Sequence, residues 1–295
     1  MKSYNEIAGD GGSNIDSQVA ERTDRLSSRL SSIRSIIAVM SGKGGVGKSS
    51  TTVNFAAALA LQNYSVGIID ADINSPTIAK MTGVKGHILE SGKTGLKPAL
   101  SDLNIKIMSM DLFHSEEHTP VLWKAPTQRD SYTWRGMMET AALQEFLADT
   151  EWGVLDFLFI DLPPGNDNLQ TIIDLLPNVC GTIVVTISSA VSSFIVSKSL
   201  RMASEVLKTP LIGLVENMST YCCNHCGNVE SLFPQSDIKE LTSNLNVPLL
   251  GSIPFDPKIA IAADEGKLFM TTYDESPAGK IIKDITRQIV HFAQA

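Results

Sequence analysis

One octapeptide limits the folds open to this chain more than any other feature. Gly42-Lys43-Gly44-Gly45-Val46-Gly47-Lys48-Ser49 stands between an apolar run, Ser35–Met40, and an Ala-rich run, Ser49–Leu61. The spacing is G-x-x-x-x-G-K-[ST], and the flanking runs predict a strand before it and a helix after it. Glycines let successive backbone amides turn inward onto phosphate oxygens without side-chain clashes. The helix N-terminus adds partial positive charge at the same point. Chemistry of this kind uses Lys48 to reach the β- and γ-phosphates and Ser49 to ligate Mg²⁺. Gly42 through Ser50 are therefore the candidate phosphate-contacting residues.

The remainder alternates between strand-like and helix-like segments. Ser65–Asp70, Ile105–Ser109, Asp156–Asp161, Gly181–Ile187, Leu211–Glu216 and Val247–Ile253 read as strands. Thr140–Asp149, Asp167–Leu176, Val191–Leu207 and Ser276–Phe292 read as helices. Such alternation predicts an α/β fold with a mostly parallel β-sheet covered by helices on both faces. Residues 1–34 are rich in Ser, Gly, Asp and Arg and predict a flexible tail. Part of that tail carries Leu26, Leu30 and Ile33 on one helical face. Residues 35–295 are expected to form a single domain.

Two predicted strands run into carboxylates. Val66-Gly67-Ile68-Ile69 leads to Asp70 with Asp72 two residues on, and Phe157-Leu158-Phe159-Ile160 leads to Asp161. In an open parallel sheet, ligands sit beyond the C-terminal strand ends, so these carboxylates converge on the edge that carries the phosphate loop. An apolar strand ending in Asp suits Asp161 to hold Mg²⁺, directly or through water. Asp72 is placed to orient an attacking water, with Asp70 supporting the site from its strand end.

The net charge of −8 disfavours non-specific binding to phosphate backbones. No apolar run approaches the ~20 residues of a membrane span, and the polar N-terminus lacks a secretory h-region. Neither a nucleic-acid nor a membrane partner is expected. The C-terminal segment carries Ile281, Ile282, Ile285, Ile289 and Phe292 with mixed flanking charge, which favours packing on the sheet over a lipid surface. His114 and His118 flank Glu116 and Glu117, but this is not H-E-x-x-H, and Thr119-Pro120 ends any helix there.

Of the four cysteines, Cys222, Cys223 and Cys226 are crowded together, which suits metal or redox chemistry in a reducing compartment better than stapling disulfides. Cytoplasmic residence follows. Cys223-Asn224-His225-Cys226 is a C-x-x-C, and two thiolates at that spacing grip one face of a metal. One pair is half of a four-ligand set, and a two-fold dimer completes it. An iron–sulfur cluster, a zinc ion, a dithiol redox pair and a metal-free loop all fit the spacing. Cys222 is an adjacent spare thiol. Cys180 precedes an apolar strand and reads as a small buried hydrophobe.

The early Lys43 makes the loop resemble the deviant Walker A class of P-loop ATPases, which includes MinD, ParA, the nitrogenase iron protein and the Mrp/ApbC iron–sulfur carriers. That resemblance implies a homodimer in which Lys43 reaches the partner's phosphates. It also implies that Asp70-Ala71-Asp72 is a first switch whose second Asp orients water. The chain is most similar to the Mrp/ApbC carriers, from about Ile36 to Phe292. Ala38-Val39-Met40-Ser41-Gly42, Trp134-Arg135-Gly136, Glu151-Trp152-Gly153, Ile160-Asp161-Leu162-Pro163-Pro164-Gly165 and Val215-Glu216-Asn217-Met218-Ser219 carry the likeness.

The resemblance implies an ATP- and Mg²⁺-dependent ATPase, with Asn217 and Pro254 beside the base. Its Cys223 and Cys226 would bridge a labile [4Fe–4S] cluster between subunits, received from cluster donors and passed to iron–sulfur apoproteins. Lys43, Lys48, Asp70, Asp72 and Asp161 are the implied catalytic set. The family usually continues Pro-Pro-Gly with Thr-Gly-Asp, whereas Asn166-Asp167-Asn168 stands here, so slow hydrolysis is expected. The alternative is a MinD/ParA-like positioning ATPase with a structural zinc, or no metal, at the C-x-x-C.

Overall fold

The computed structural model describes residues 24–113, 131–165, 169–176, 179–188, 190–223, 225–233 and 238–295. Residues 1–23 of the tail, His114 and His118, and Asn166-Asp167-Asn168 lie outside the described residues. A helix α1 (residues 24–30) leads into β1 (Ile33–Met40), α2 (Lys48–Ala60), β2 (Val66–Asp70) and a one-turn α3 (Ile78–Met81). There follow β3 (Ala99–Leu100), β4 (Lys106–Met108), α4 (Ser131–Asp149), β5 (Leu155–Asp161), α5 (Leu169–Asp174), β6 (Val179–Ile187) and α6 (Ala190–Arg201). The chain closes with β7 (Leu211–Asn217), β8 (Thr220–Cys222), β9 (Val229–Ser231), α7 (Ile238–Asn244), β10 (Leu249–Ser252), α8 (Pro257–Asp264), α9 (Phe269–Tyr273) and α10 (Pro277–Gln294).

Eight strands form one sheet in the order β10-β7-β6-β1-β5-β2-β4-β3, all parallel except the β3–β4 edge pair. β1 lies between β5 and β6, so its C-terminal end opens into the interior of the sheet edge, where α/β folds bind ligands. The strands are apolar on both sides because each side meets helices. In β1, Ile37 and Val39 face one core, while Ile36, Ala38 and Met40 face the other. The first core receives Phe55 and Leu59 from α2 and Ile282, Ile285 and Ile289 from α10. The second receives Leu26 and Leu30 from α1, Leu143, Phe146 and Leu147 from α4, and Val196 and Leu200 from α6.

Several boundaries differ from the sequence expectation. α4 begins at Ser131, well before Thr140. The expected helix Val191–Leu207 ends as α6 at Arg201 and continues as a π-helical turn, Met202–Val206. The C-terminal helix packs on the sheet as its mixed charge suggested. Ser276 caps it by accepting from the Gly279 amide at 3.1 Å, with Pro277 in the first turn. Among the described residues no helix is long and apolar enough to cross a membrane.

Candidate functional site

The phosphate loop takes its shape from two glycines in the left-handed region, Gly45 at φ 76° and Gly47 at φ 80°. Gly47 is also the cap residue of α2, and no side chain caps that helix, so its first amides are free for an anion. Thr51 and Thr52 are poor helix formers. The Thr51 hydroxyl bonds back to the Gly47 carbonyl at 2.8 Å, and the Thr52 hydroxyl spends its one proton on Asp161. The Ser41 hydroxyl donates to the Lys43 carbonyl at 3.0 Å and steadies the loop's entrance. Lys43 is half-buried and makes no ion pair among the described residues.

Beneath the loop lies a buried polar cluster built on Asp161. Its Oδ2 accepts from Lys48 Nζ and from Ser49 Oγ, both at 2.6 Å, and its Oδ1 accepts from Thr52 Oγ1 at 2.7 Å. Lys48 and Asp161 are 7% and 0% exposed, so the pair is almost wholly desolvated. Asp70 is its register partner on β2. Asp70 Oδ2 accepts from the Thr77 and Ile78 amides at 2.9 and 3.1 Å and from Ser109 Oγ at 3.3 Å. Burial, and next the neighbouring Asp161 carboxylate, push the Asp70 carboxyl up to about 7, against the opposing pull of those amides and of Lys48. Asp72 is half-buried in the following turn, where its Oδ1 accepts from the Ser75 amide at 3.2 Å. Burial raises its carboxyl as well.

The donor set fits a divalent cation. Ser49 Oγ and Asp161 Oδ2 already share a cationic neighbour, the Lys48 ammonium, at 3.4 and 2.6 Å. Ser49 Oγ and Asp161 Oδ2 are the oxygens that would hold Mg²⁺.

Beside the loop opens a cavity of about 230 Å³, lined by Gly47, Ser50 and Asn54 on one side and by Asn217, Met218 and Ile253 to Asp256 on the other. Asn217 and Pro254 are thus both at this cavity. Asn217 Nδ2 donates to the Val46 carbonyl at 2.9 Å, tying the end of β7 to the phosphate loop. Asn54 Nδ2 donates to the Ser50 carbonyl at 2.8 Å, while its Oδ1 is buried without a hydrogen-bond partner.

From the end of β7 the chain passes through Met218, a non-glycine residue at φ 52°, into the β8–β9 hairpin. The C-x-x-C forms the hairpin's tip. The Cys223 amide donates to the Asn228 carbonyl at 2.9 Å, and the Gly227 amide to the Cys223 carbonyl at 2.8 Å, with Gly227 at φ 71° closing the turn. The amides of Cys226 and His225 aim at the Cys223 sulfur and, with the Cys226 thiol, pull the Cys223 thiol below the usual range. Amides aimed at a sulfur favour thiolate, the form that binds metal. Cys222 instead points its thiol at the Gly227 carbonyl, 3.7 Å away. Cys180 is half-buried at the far end of β6, away from the site, and burial raises its thiol.

Thr52, Asn54 and Ser109 join the site without having been singled out in the sequence. Helical Ser/Thr/Asn residues in the two turns after a phosphate loop are the signal that was available for the first two.

Comparison with known proteins bears on the family and the fold. A relative from Saccharolobus solfataricus called iron-sulfur cluster carrier protein is 36% identical over 282 residues, covering 95% of this chain and 91% of the relative. The cytosolic Fe-S cluster assembly factor NUBP2 of Bos taurus is 34% identical, covering 88% of this chain and 94% of its own. Among solved structures, a nucleotide-binding protein from Archaeoglobus fulgidus, in complex with ADP and with cobalt found in it, superposes with a TM-score of 0.70 at 32% identity over 83% of this chain and 92% of that one. The cell division ATPase MinD of Pyrococcus furiosus shares the fold, with a TM-score of 0.59 at 19% identity over 87% of this chain and 98% of that one. Residues 32–290 match the ParA-type family described as NUBPL iron-transfer P-loop NTPase, and the chain belongs to that family.

Proposed function

We propose that this protein is a slow, Mg²⁺-dependent ATPase that works as a homodimer and carries a [4Fe–4S] cluster between Cys223/Cys226 pairs for delivery to apoproteins. The observation that carries the reading is the Cys223–Cys226 turn. Its amides are already aimed at one thiol, and it supplies two ligands where a cluster needs four. A second copy would provide the other two. Delivery in the cytoplasm belongs to the same proposal.

The chain's own residues divide the work on the nucleotide. The loop Gly42–Ser50 presents amides to the phosphates, and Lys48 exchanges its Asp161 partner for phosphate oxygens. Mg²⁺, when bound, neutralises charge between the phosphates. Ser49 and Asp161 would hold it, Asp161 directly or through water. Asp72 orients water for attack, and Asp70 fixes the turn that carries Asp72 through the Thr77 and Ile78 amides. Lys43, without an ion pair among the described residues, serves the partner's phosphates. The base lies in the cavity against Asn217 and Pro254.

The test is iron, sulfide and zinc content per dimer after anaerobic reconstitution, for wild type and the Cys223→Ala/Cys226→Ala variant. About four iron and four sulfide per wild-type dimer, lost in the variant, is the expected result. Zinc alone, or no metal in either protein, overturns the carrier reading and favours a positioning ATPase.

A further inference from the structure

The cavity wall opposite the phosphate loop does not stop at the cavity. Ile253 takes main-chain bonds on both sides, its amide donating to the Glu216 carbonyl at 2.7 Å and its carbonyl accepting from the Ser219 amide at 2.9 Å. The Ser219 hydroxyl adds a third bond to the same carbonyl at 3.2 Å. Two residues on, the Phe255 amide donates to the Thr220 carbonyl at 2.7 Å, and Tyr221 pairs with Phe255 as an isolated parallel bridge. Their rings lie 6.2 Å apart, tilted by 57°. The strip 253–255 is thus stitched to β8, whose next residue after Cys222 is the ligand Cys223.

The hairpin has few other anchors. β9 is exposed at all three of its positions. Among the described residues, the main-chain bonds that tie the hairpin to the body run between residues 219–220 and residues 253 and 255. Its other end leaves β7 through Met218, whose left-handed backbone is strained for a side chain of that size and which itself lines the cavity. A base seated in the cavity therefore touches both supports of the cysteine turn.

We propose that Phe255 and Tyr221 are positioning residues that couple occupancy of the base cavity to the geometry of the Cys223/Cys226 thiolate pair within one chain. This rests on the reading of that pair as a metal site. It adds that the signal comes from the base rather than from the γ-phosphate. ADP and ATP then act in the same sense, and inorganic tripolyphosphate does not act. Coupling between two sites is reciprocal, so metal at the thiolates changes nucleotide affinity by the factor by which nucleotide changes metal affinity.

The experiment uses the full chain under anaerobic conditions with cobalt(II) as the probe, read by thiolate-to-cobalt charge-transfer absorption. Cobalt is titrated alone and with ADP, ATP or tripolyphosphate, and ADP is titrated with and without cobalt. Wild type should show at least about a five-fold shift of each ligand's dissociation constant by the other, equal in the two directions. Tyr221→Ala should bind cobalt and ADP singly as wild type does, with the mutual shift reduced toward one. Tyr221→Phe, which keeps the ring, should retain it. An unshifted wild type, a full shift in Tyr221→Ala, or an equal shift by tripolyphosphate overturns the coupling while leaving the metal site intact. Absence of a thiolate band in wild type, or its persistence in Cys223→Ala/Cys226→Ala, removes the metal reading itself and this proposal with it.

Discussion

Lys48 Nζ lies 2.6 Å from Asp161 Oδ2, and both groups are buried. A pair of this kind contributes little as a unit, but removing one partner strands the other charge in a low-dielectric interior. Asp161→Ala should therefore lower stability by about 3–5 kcal/mol. Phosphates re-pair Lys48, so saturating ADP should narrow the gap between variant and wild type. Thermal unfolding of both proteins with and without ADP checks this. An equal gap in both conditions would mean that Lys48 does not meet the phosphates.

Thr52 is a quieter member of the same cluster. Its hydroxyl is fully buried and donates to Asp161 Oδ1 at 2.7 Å. Thr52→Val keeps the shape and removes one bond to a charged group. The expected loss is about 1.5–3 kcal/mol by urea unfolding. Ser49→Ala, at a more exposed hydroxyl, should cost less stability and more Mg²⁺ affinity.

Asp70 makes stability depend on pH. Its carboxyl titrates near 3.8 in an unfolded chain and at about 7 in the fold. Between those values the native state holds the extra proton. The contribution of Asp70 to stability is then fully present below about pH 4 and is lost as pH rises through about 7. Asp70→Asn cannot ionise. It should equal wild type near pH 4 and exceed it by a few kcal/mol, roughly, near pH 8. Denaturant midpoints across that range provide the measurement, and parallel curves for the two proteins would refute the assignment.

Gly47→Ala tests the loop. At φ 80° an added Cβ is strained, and it would fall 2.2 Å from Asn217 Nδ2, the group that ties β7 to the loop. Nucleotide binding should be abolished, with far-ultraviolet circular dichroism unchanged. Calorimetric titration with ADP reads the first effect.

How much of this was legible depends on what each element leaves in the sequence. The phosphate loop, the buried strand β5 and the strand-end carboxylates Asp70 and Asp161 were legible, because spacing and apolar runs carry them directly. The β8–β9 hairpin was not: Thr220–Cys222 and Val229–Ser231 are three-residue strands, the first half-buried at two positions and the second exposed throughout, and no hydrophobic period marks them. Helix α8 was passed over although Asp256-Pro257 is a start signal. Asp256 accepts from the Lys258 amide at 3.0 Å, and Pro257 occupies the first turn. The wiring of Asn217 to Val46, and of Phe255 to Tyr221, joins residues far apart in the chain or in chemistry that many loops share. Only the folded arrangement brings those contacts out.

The eight-stranded sheet ends in very short strands, two residues in β3 at one margin and four in β10 at the other. Unpaired strand margins are templates for runaway association, and brevity blunts them. A second copy therefore gains little by continuing the sheet. The homodimer proposed above would therefore have to pair through faces and loops, where contacts can be made and undone without inviting aggregation.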